Sequence, residues 1–275
     1  MPAQLKIKNS ADENSSENSS LKSLKDFFLG VASLATFTGR FFKEIIFPPY
    51  ELSELGKQCY VVGCKSLSLV GVTGFIMGLV LTIQSRPTMA QFSAESWIPA
   101  MVAVSIVREI GPVITALICA GKVGSGIGAE LSSMKVTEQI DAMEVSGLNP
   151  FKYLVNTRIL STTLMIPVLV IFSDVIALFG SYLGVNLTDD VNIRLFLSQV
   201  IEKLDFSDIF PAFIKTFFFG FVIGLIGCYK GFNSGNGTED VGKSANSSVV
   251  IASLMVFIID MIAVQITSLY TQNLG

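Results

Sequence analysis

Residues 247–270 read SSVVIASLMVFIIDMIAVQITSLY, a run with one charged residue, Asp260. A helix needs about 20 mostly apolar residues to cross about 30 Å of hydrocarbon, so this run is long enough to span a membrane. Four more runs of the same kind precede it, at about 59–83, 97–120, 154–184 and 209–229. The third is longer than a span requires and contains Pro167, which leaves tilt, a kink or extension past the bilayer open. The expected fold class is an all-α membrane protein, with five transmembrane helices over residues 58–272.

Composition agrees with that reading. Hydrophobic residues make up 51% of the 275, and charged residues only 15%, against roughly 25% in a soluble domain. Mean hydropathy is +0.61. Residues 1–57 hold 14 of the 41 charges, so the remainder is poorer still in solvated groups. A net charge of -3 leaves no basic patch, and no nucleic acid is expected as a partner. Histidine is absent, which removes imidazole acid–base work, Ser-His-Asp and Cys-His catalysis, and imidazole zinc sites. Cys59, Cys64, Cys119 and Cys228 lie in or beside apolar runs without a C-x-x-C pair, so neither a disulfide framework nor a metal site is expected.

The N-terminal region differs. Residues 9–20, NSADENSSENSS, have the composition of disorder, and residues 1–23 are expected as a disordered polar tail. The start of the chain lacks a signal peptide's apolar core and cleavage site. From 24 to 47, Leu24, Phe28, Val31, Leu34, Phe37, Phe41 and Ile45 recur every three or four residues. Lys25, Asp26, Arg40, Lys43 and Glu44 interrupt them too often for a span, so the segment reads as an amphipathic helix in the bilayer interface, ended by Pro48-Pro49.

Basic residues set the expected orientation. With the N-terminus cytoplasmic, 13 Lys and Arg fall on inner segments and only Arg86, Arg194 and Lys203 on outer ones. Five spans then put the C-terminus on the outer side. Lys65, Arg108 and Lys215 fall inside the expected spans. Five small-residue pairs, Gly74/Gly78, Gly124/Gly128, Gly180/Gly184, Gly220/Gly224 and Gly227/Gly231, allow close helix approach within a bundle or a dimer.

Gly237-Thr-Glu-Asp-Val-Gly242-Lys243-Ser244 satisfies the G-x-x-x-x-G-K-S phosphate-loop pattern. That loop needs a strand before it and an α/β sheet around it. Here it occupies a loop of about 15 residues between two spans, so it reads as a decoy and the chain as no enzyme.

Ionisable groups inside the spans carry more information. Arg108 and Glu109 stand in the second, followed by Gly111 and Pro112; Asp174 is in the third, Lys215 in the fourth and Asp260 in the fifth. A charge at mid-bilayer costs roughly 2.5–3.5 kcal/mol on insertion scales, so these side chains should face one another or a wet cavity. Two readings stay open: buried ion pairs that set helix register, or the polar wall of a substrate cavity. Pro112 cannot donate to the Arg108 carbonyl, and Gly111 weakens the same turn, so a hinge or interruption is expected there. On the inner side, residues 129–145 have helical composition, too polar to span, and Gly147 and Pro150 follow as stop signals. That segment reads as either an interfacial helix or a helix that docks a cytoplasmic partner. Its acidic Glu130, Glu138, Asp141 and Glu144 disfavour an anionic membrane surface.

The runs Arg108–Pro112, Ala120–Ser125, Ala129–Leu131 and Met134–Ala142 resemble the signature of MlaE/YrbE-type permeases, membrane subunits of ABC transporters that work with MCE-domain lipid-binding proteins. Smaller matches are Asn149-Pro150, Arg158, and Gly242 with Ser247–Val250. The similarity covers about residues 24–270. It implies that 24–47 is an interfacial elbow helix and 58–272 a five-span permease domain with a cytoplasmic coupling helix at about 129–145. It also implies a homodimer, a separate ABC ATPase subunit carrying the ATP and magnesium, an outer-side MCE-domain protein, and phospholipid or a related lipid as cargo. By this resemblance Glu109, Lys215 and Asp260, with Arg108, belong to the substrate cavity. Glu130, Thr137, Glu138, Gln139 and Asp141 belong to ATPase coupling. The chain itself would hold no cofactor. Lys243 is followed by Ser-Ala-Asn where the family has a threonine pair. The expected location is a cell inner membrane, with an organelle inner envelope as the other possibility. An ion- or proton-coupled secondary transporter of a hydrophobic substrate, with Glu109 and Asp260 carrying protons, is the rival reading. A lipid enzyme finds no base to pair with a Ser or Cys in a span.

Overall fold

A computed structural model of the chain describes residues 25, 28–48, 50–187 and 190–274. The expected tail, 1–23, and Leu24 lie outside the described residues. The described residues form helices and short connections, without a strand.

Helix α1 covers residues 28–46 and is one compact unit; the helices from residue 49 onward form another. Within α1 the Arg40 guanidinium donates to Glu44 Oε1 at 2.9 Å, one turn on.

Five helical segments of the second unit are long and apolar enough to cross a membrane: Leu52–Gln91, Glu95–Val136, Phe151–Asn186, Ile209–Phe232 and Thr238–Leu269. The first is two helices, α2 (Leu52–Gly63) and α3 (Leu67–Gln91). Lys65 was expected inside this span. It does lie within it, in the turn between α2 and α3, where its carbonyl accepts a hydrogen bond from the Lys122 ammonium.

The second span is α4 (Ile98–Ser105), a π-helical turn (Ile106–Ile110), α5 (Gly111–Cys119), a second π-helical turn (Ala120–Gly124) and α6 (Ser125–Val136). The interruption expected at Gly111-Pro112 is a widening rather than a break. Pro112 has no N–H to offer the preceding turn, and the Gly111 N–H reaches back five residues to the Ile106 carbonyl. The helix then runs on well past the expected end near residue 120.

The inner segment expected as one helix over 129–145 is therefore divided. Its first half is the end of α6. Thr137 and Glu138 turn the chain, and α7 (Gln139–Val145) follows. Glu138 has φ +57°, a left-handed conformation that L side chains adopt seldom and that stops α6. Gly147, with φ +79°, closes α7.

The third span begins with a π-helical stretch (Phe151–Asn156) and continues as α8 (Thr157–Asn186), which passes through Pro167. At 1.5 Å per residue α8 alone is about 45 Å long, more than a crossing of about 30 Å of hydrocarbon requires. Next comes a helix absent from the sequence reading, α9 (Ile193–Lys203), capped by the Asn192 side chain on the Arg194 N–H. Its Phe196 and Val200 bury against Ile98 and Val102 of α4 and Ala177 and Val185 of α8. The spacing of Ile193, Phe196, Leu197, Val200 and Ile201 was the signal for it. Helices α10 (Phe206–Phe232) and α11 (Thr238–Leu274) complete the chain.

The small-residue pairs mark where these helices touch. A Cβ on Gly78 of α3 would stand 1.8 Å from the Ala177 carbonyl oxygen of α8, and one on Gly180 would stand 2.3 Å from that of Phe75. Thr82 donates to Ser181 across the same seam at 2.8 Å. Gly220 and Gly224 of α10 press in the same way on Thr162 of α8, and Gly227 and Gly231 on Gly124 and Gly128 of the second span. The pairs left open between bundle and dimer thus have partners within the chain.

Candidate functional site

Lys215 organises the site. It stands on α10 with its side chain 5% exposed, and its ammonium donates to Glu109 Oε2 at 2.6 Å and to Asp260 Oδ1 at 2.9 Å. Three spans contribute one group each: Glu109 from the π-helical turn, Lys215 from α10 and Asp260 from α11. An ammonium has three protons to donate, and two are used here on carboxylates that would otherwise be uncompensated at bilayer depth. A small cavity of about 10 Å³, room for about one water, is lined by Glu109 and Lys215 together with Arg108, Pro211, Ala212 and Thr267. The pairing is made entirely by groups of this chain. Of its carboxylates, Glu109 keeps 37% of its side chain exposed and Asp260 19%.

The same cavity reaches Ala263 and Val264 of α11, whose most apolar window is only 11% buried. Leu254, Phe257, Met261 and Ile262, on either side of Asp260, are exposed.

Asp174, the fifth charge expected in the spans, does not join the cluster. It lines a separate apolar cavity of about 210 Å³ with Val107, Pro112, Leu178 and Phe213. Gly111 and Pro112 sit at the C-terminal edge of the π-helical turn, buried.

The expected coupling residues divide into two groups. Glu130, on α6, accepts from the Arg158 guanidinium at 2.8 Å; Arg158 is 2% exposed on α8 and donates also to the Leu154 carbonyl at 3.0 Å. Sequence reasoning noted Arg158 without assigning it a partner; its signal is a basic residue a few positions into an apolar run. Thr137, Glu138, Gln139 and Asp141 are exposed around the α6–α7 turn, and the Thr137 hydroxyl donates back to the Ser133 carbonyl at 2.8 Å. On the same segment Val145 is 91% exposed, a large apolar side chain with no cover from this chain.

Residues 237–244, the phosphate-loop match, lie at the start of α11. The connection between α10 and α11 is five residues, 233–237, rather than about 15, and Thr238–Ser244 are helical. Asp240 caps α11 by accepting from the Gly237 N–H at 3.1 Å, and Lys243 pairs with Glu239 at 2.9 Å one turn back. The Ser244 hydroxyl donates to the Gly128 carbonyl at 3.3 Å and is buried.

Fold and site together define a multi-pass helical membrane protein with an ion cluster shared by three spans. The Permease MlaE family model matches residues 55–266. A Rickettsia prowazekii protein is 39% identical over 230 residues, 84% of this chain and 88% of its own length. A Synechocystis protein is 31% identical over 243 residues, 88% and 92% of the two chains, and a Pyropia yezoensis protein 36% identical over 210, 76% and 80%. All three carry the name "Probable ABC transporter permease protein". The chain belongs to the MlaE permease family and is an ABC transporter permease.

Proposed function

We propose that this permease moves phospholipid or a related lipid between a cell inner membrane and an MCE-domain carrier on the outer side. A separate ABC ATPase subunit, which holds the ATP and magnesium, drives it. The observation that supports this most is the Glu109–Lys215–Asp260 cluster at bilayer depth beside the uncovered apolar face of α11. Two copies facing across that surface would enclose a cavity with apolar walls for acyl chains and a polar zone at each cluster. A headgroup entering that zone would exchange contacts with Glu109, Lys215, Asp260 and Arg108, while acyl chains lie against residues such as Phe257 and Met261. The chain's own part is to bind, to orient and to alternate the cavity's exposure; ATP hydrolysis belongs to the partner. The closing force would enter through α7 and the Thr137–Glu138 turn, where acidic side chains and the bare Val145 offer a cytoplasmic partner both charge and apolar surface. The N-terminus would be cytoplasmic and the C-terminus on the outer side.

Two measurements test the reading. Mass spectrometry of the complex purified from its own membrane should find the ATPase subunit, an MCE-domain protein and bound phospholipid together. Glu138→Ala and Asp141→Ala should uncouple lipid transfer from ATP hydrolysis in reconstituted vesicles, with the permease still folded. Transport by the chain alone, driven by a pH gradient, would establish the secondary-transporter reading instead.

A further inference from the structure

Asp174 is the span charge that the ion cluster leaves out, and its surroundings are unusual. Its Oδ1 is buried without a hydrogen-bond partner. That oxygen lies against Gly111 of the second span: a Cβ added to Gly111 would stand 1.9 Å from it, and 2.8 Å from the Ile106 carbonyl oxygen. The carboxyl group therefore occupies the space that any other residue at 111 would claim. Gly111 in turn closes the π-helical turn Ile106–Ile110, which carries Arg108 and Glu109. Such turns are rare and persist where their surroundings hold them. Pro112 removes one backbone donor here, so the turn depends more than usual on what packs against it.

We propose that Asp174 is a positioning residue: its side chain, seated in the gap at Gly111, wedges the π-helical turn in place and so keeps Glu109 aimed at Lys215. The wedge acts through its shape, because Oδ1 has no hydrogen-bond partner to give it a directional role. The apolar cavity of about 210 Å³ bounded by Val107, Pro112, Asp174 and Phe213 lies beside it, so a smaller side chain at 174 would leave the turn room to relax. A shift of one residue in helix register rotates a side chain by about 100°, enough to carry the Glu109 carboxylate out of reach of an ammonium now 2.6 Å away. The consequence for transport rests on the proposed lipid site; the consequence for the turn does not.

Hydrogen exchange of the full-length chain within its purified complex, read over the amides of residues 106–111, separates the two. Asp174→Asn keeps the shape and should exchange within about twofold of wild type, with normal lipid transfer. Asp174→Ala should exchange about tenfold faster in that segment alone, with lipid transfer reduced by a similar factor. Adding Gly111→Ala to Asp174→Ala places a methyl group in the vacated space and should recover part of both losses, incompletely because the Ile106 carbonyl remains in the way. Unchanged exchange in Asp174→Ala, or equally fast exchange in Asp174→Asn, overturns the proposal. Faster exchange with undiminished transfer supports the wedge and overturns the transport role of the cluster. If Asp174→Ala does not assemble, Asp174→Ser is the truncation to which the same criteria apply.

Discussion

The Arg158 guanidinium on α8 meets the Glu130 carboxylate on α6 at 2.8 Å, with the arginine side chain 3% exposed and the glutamate 52%. The contact ties the extension of the second span to the third span, just ahead of the turn that leads into α7. Removing only the glutamate strands a cation in the protein interior, whereas replacing both with apolar residues strands nothing. Glu130→Ala should therefore lower stability by about 3 kcal/mol, seen as a reduced unfolding temperature in detergent. Glu130→Leu combined with Arg158→Met should recover most of the loss.

A related asymmetry applies to Lys215. Lys215→Met leaves the Glu109 and Asp260 carboxylates facing each other without their cation, and lipid transfer should fall at least about tenfold. Adding Glu109→Gln and Asp260→Asn should restore stability by removing the repulsion, again worth about 3 kcal/mol, without restoring transfer. The two readouts, an unfolding temperature and a vesicle transfer assay, distinguish a structural ion cluster from a working one. If the triple variant transfers lipid normally, the cluster is structural.

Gly78 and Gly242 make opposite predictions for an added side chain. A Cβ on Gly78 would meet the Ala177 carbonyl oxygen at 1.8 Å, and backbone cannot move aside cheaply. Gly78→Leu should cost about 3 kcal/mol or more and reduce the amount of protein recovered from membranes. Gly242, inside α11, has nothing within 4 Å of the same position. Gly242→Ala should be neutral or stabilising by up to about 1 kcal/mol through helix propensity.

The Lys243–Glu239 pair lies in the open, at 65% and 81% side-chain exposure. Exposed pairs of this kind contribute about 0–1 kcal/mol. Lys243→Ala should leave the unfolding temperature within about 2 °C, and equilibrium dialysis of the isolated chain against labelled ATP should show no binding with or without it. Binding lost on that substitution would restore the phosphate-loop reading of residues 237–244.

The five spans were legible because membrane insertion is a property of a linear run: about 20 apolar residues suffice whatever they pack against. The charges inside those runs were legible for the same reason, since burying Glu109, Lys215 or Asp260 without a partner is costly anywhere in hydrocarbon. Helix α9 was readable in the spacing of Phe196, Val200 and Ile201 but was overshadowed by longer apolar neighbours. The partition of residues 129–145 was not readable, because nothing in the helix-favouring composition around Glu138 announces a left-handed turn.

What the sequence by itself determined was the number of crossings, the helical class and the identity of the groups that had to find partners. These follow from local hydropathy and from the cost of single groups in lipid. Only the tertiary structure decided the pairings. It took Lys215 to both carboxylates and Arg158 to Glu130, left Asp174 against Gly111, and turned the glycine pairs inward to seams such as Gly78 on Ala177. Each depends on how far one helix is rotated and slid against another. Hydropathy along a single span is indifferent to both, and close packing of all the spans at once is what selects them.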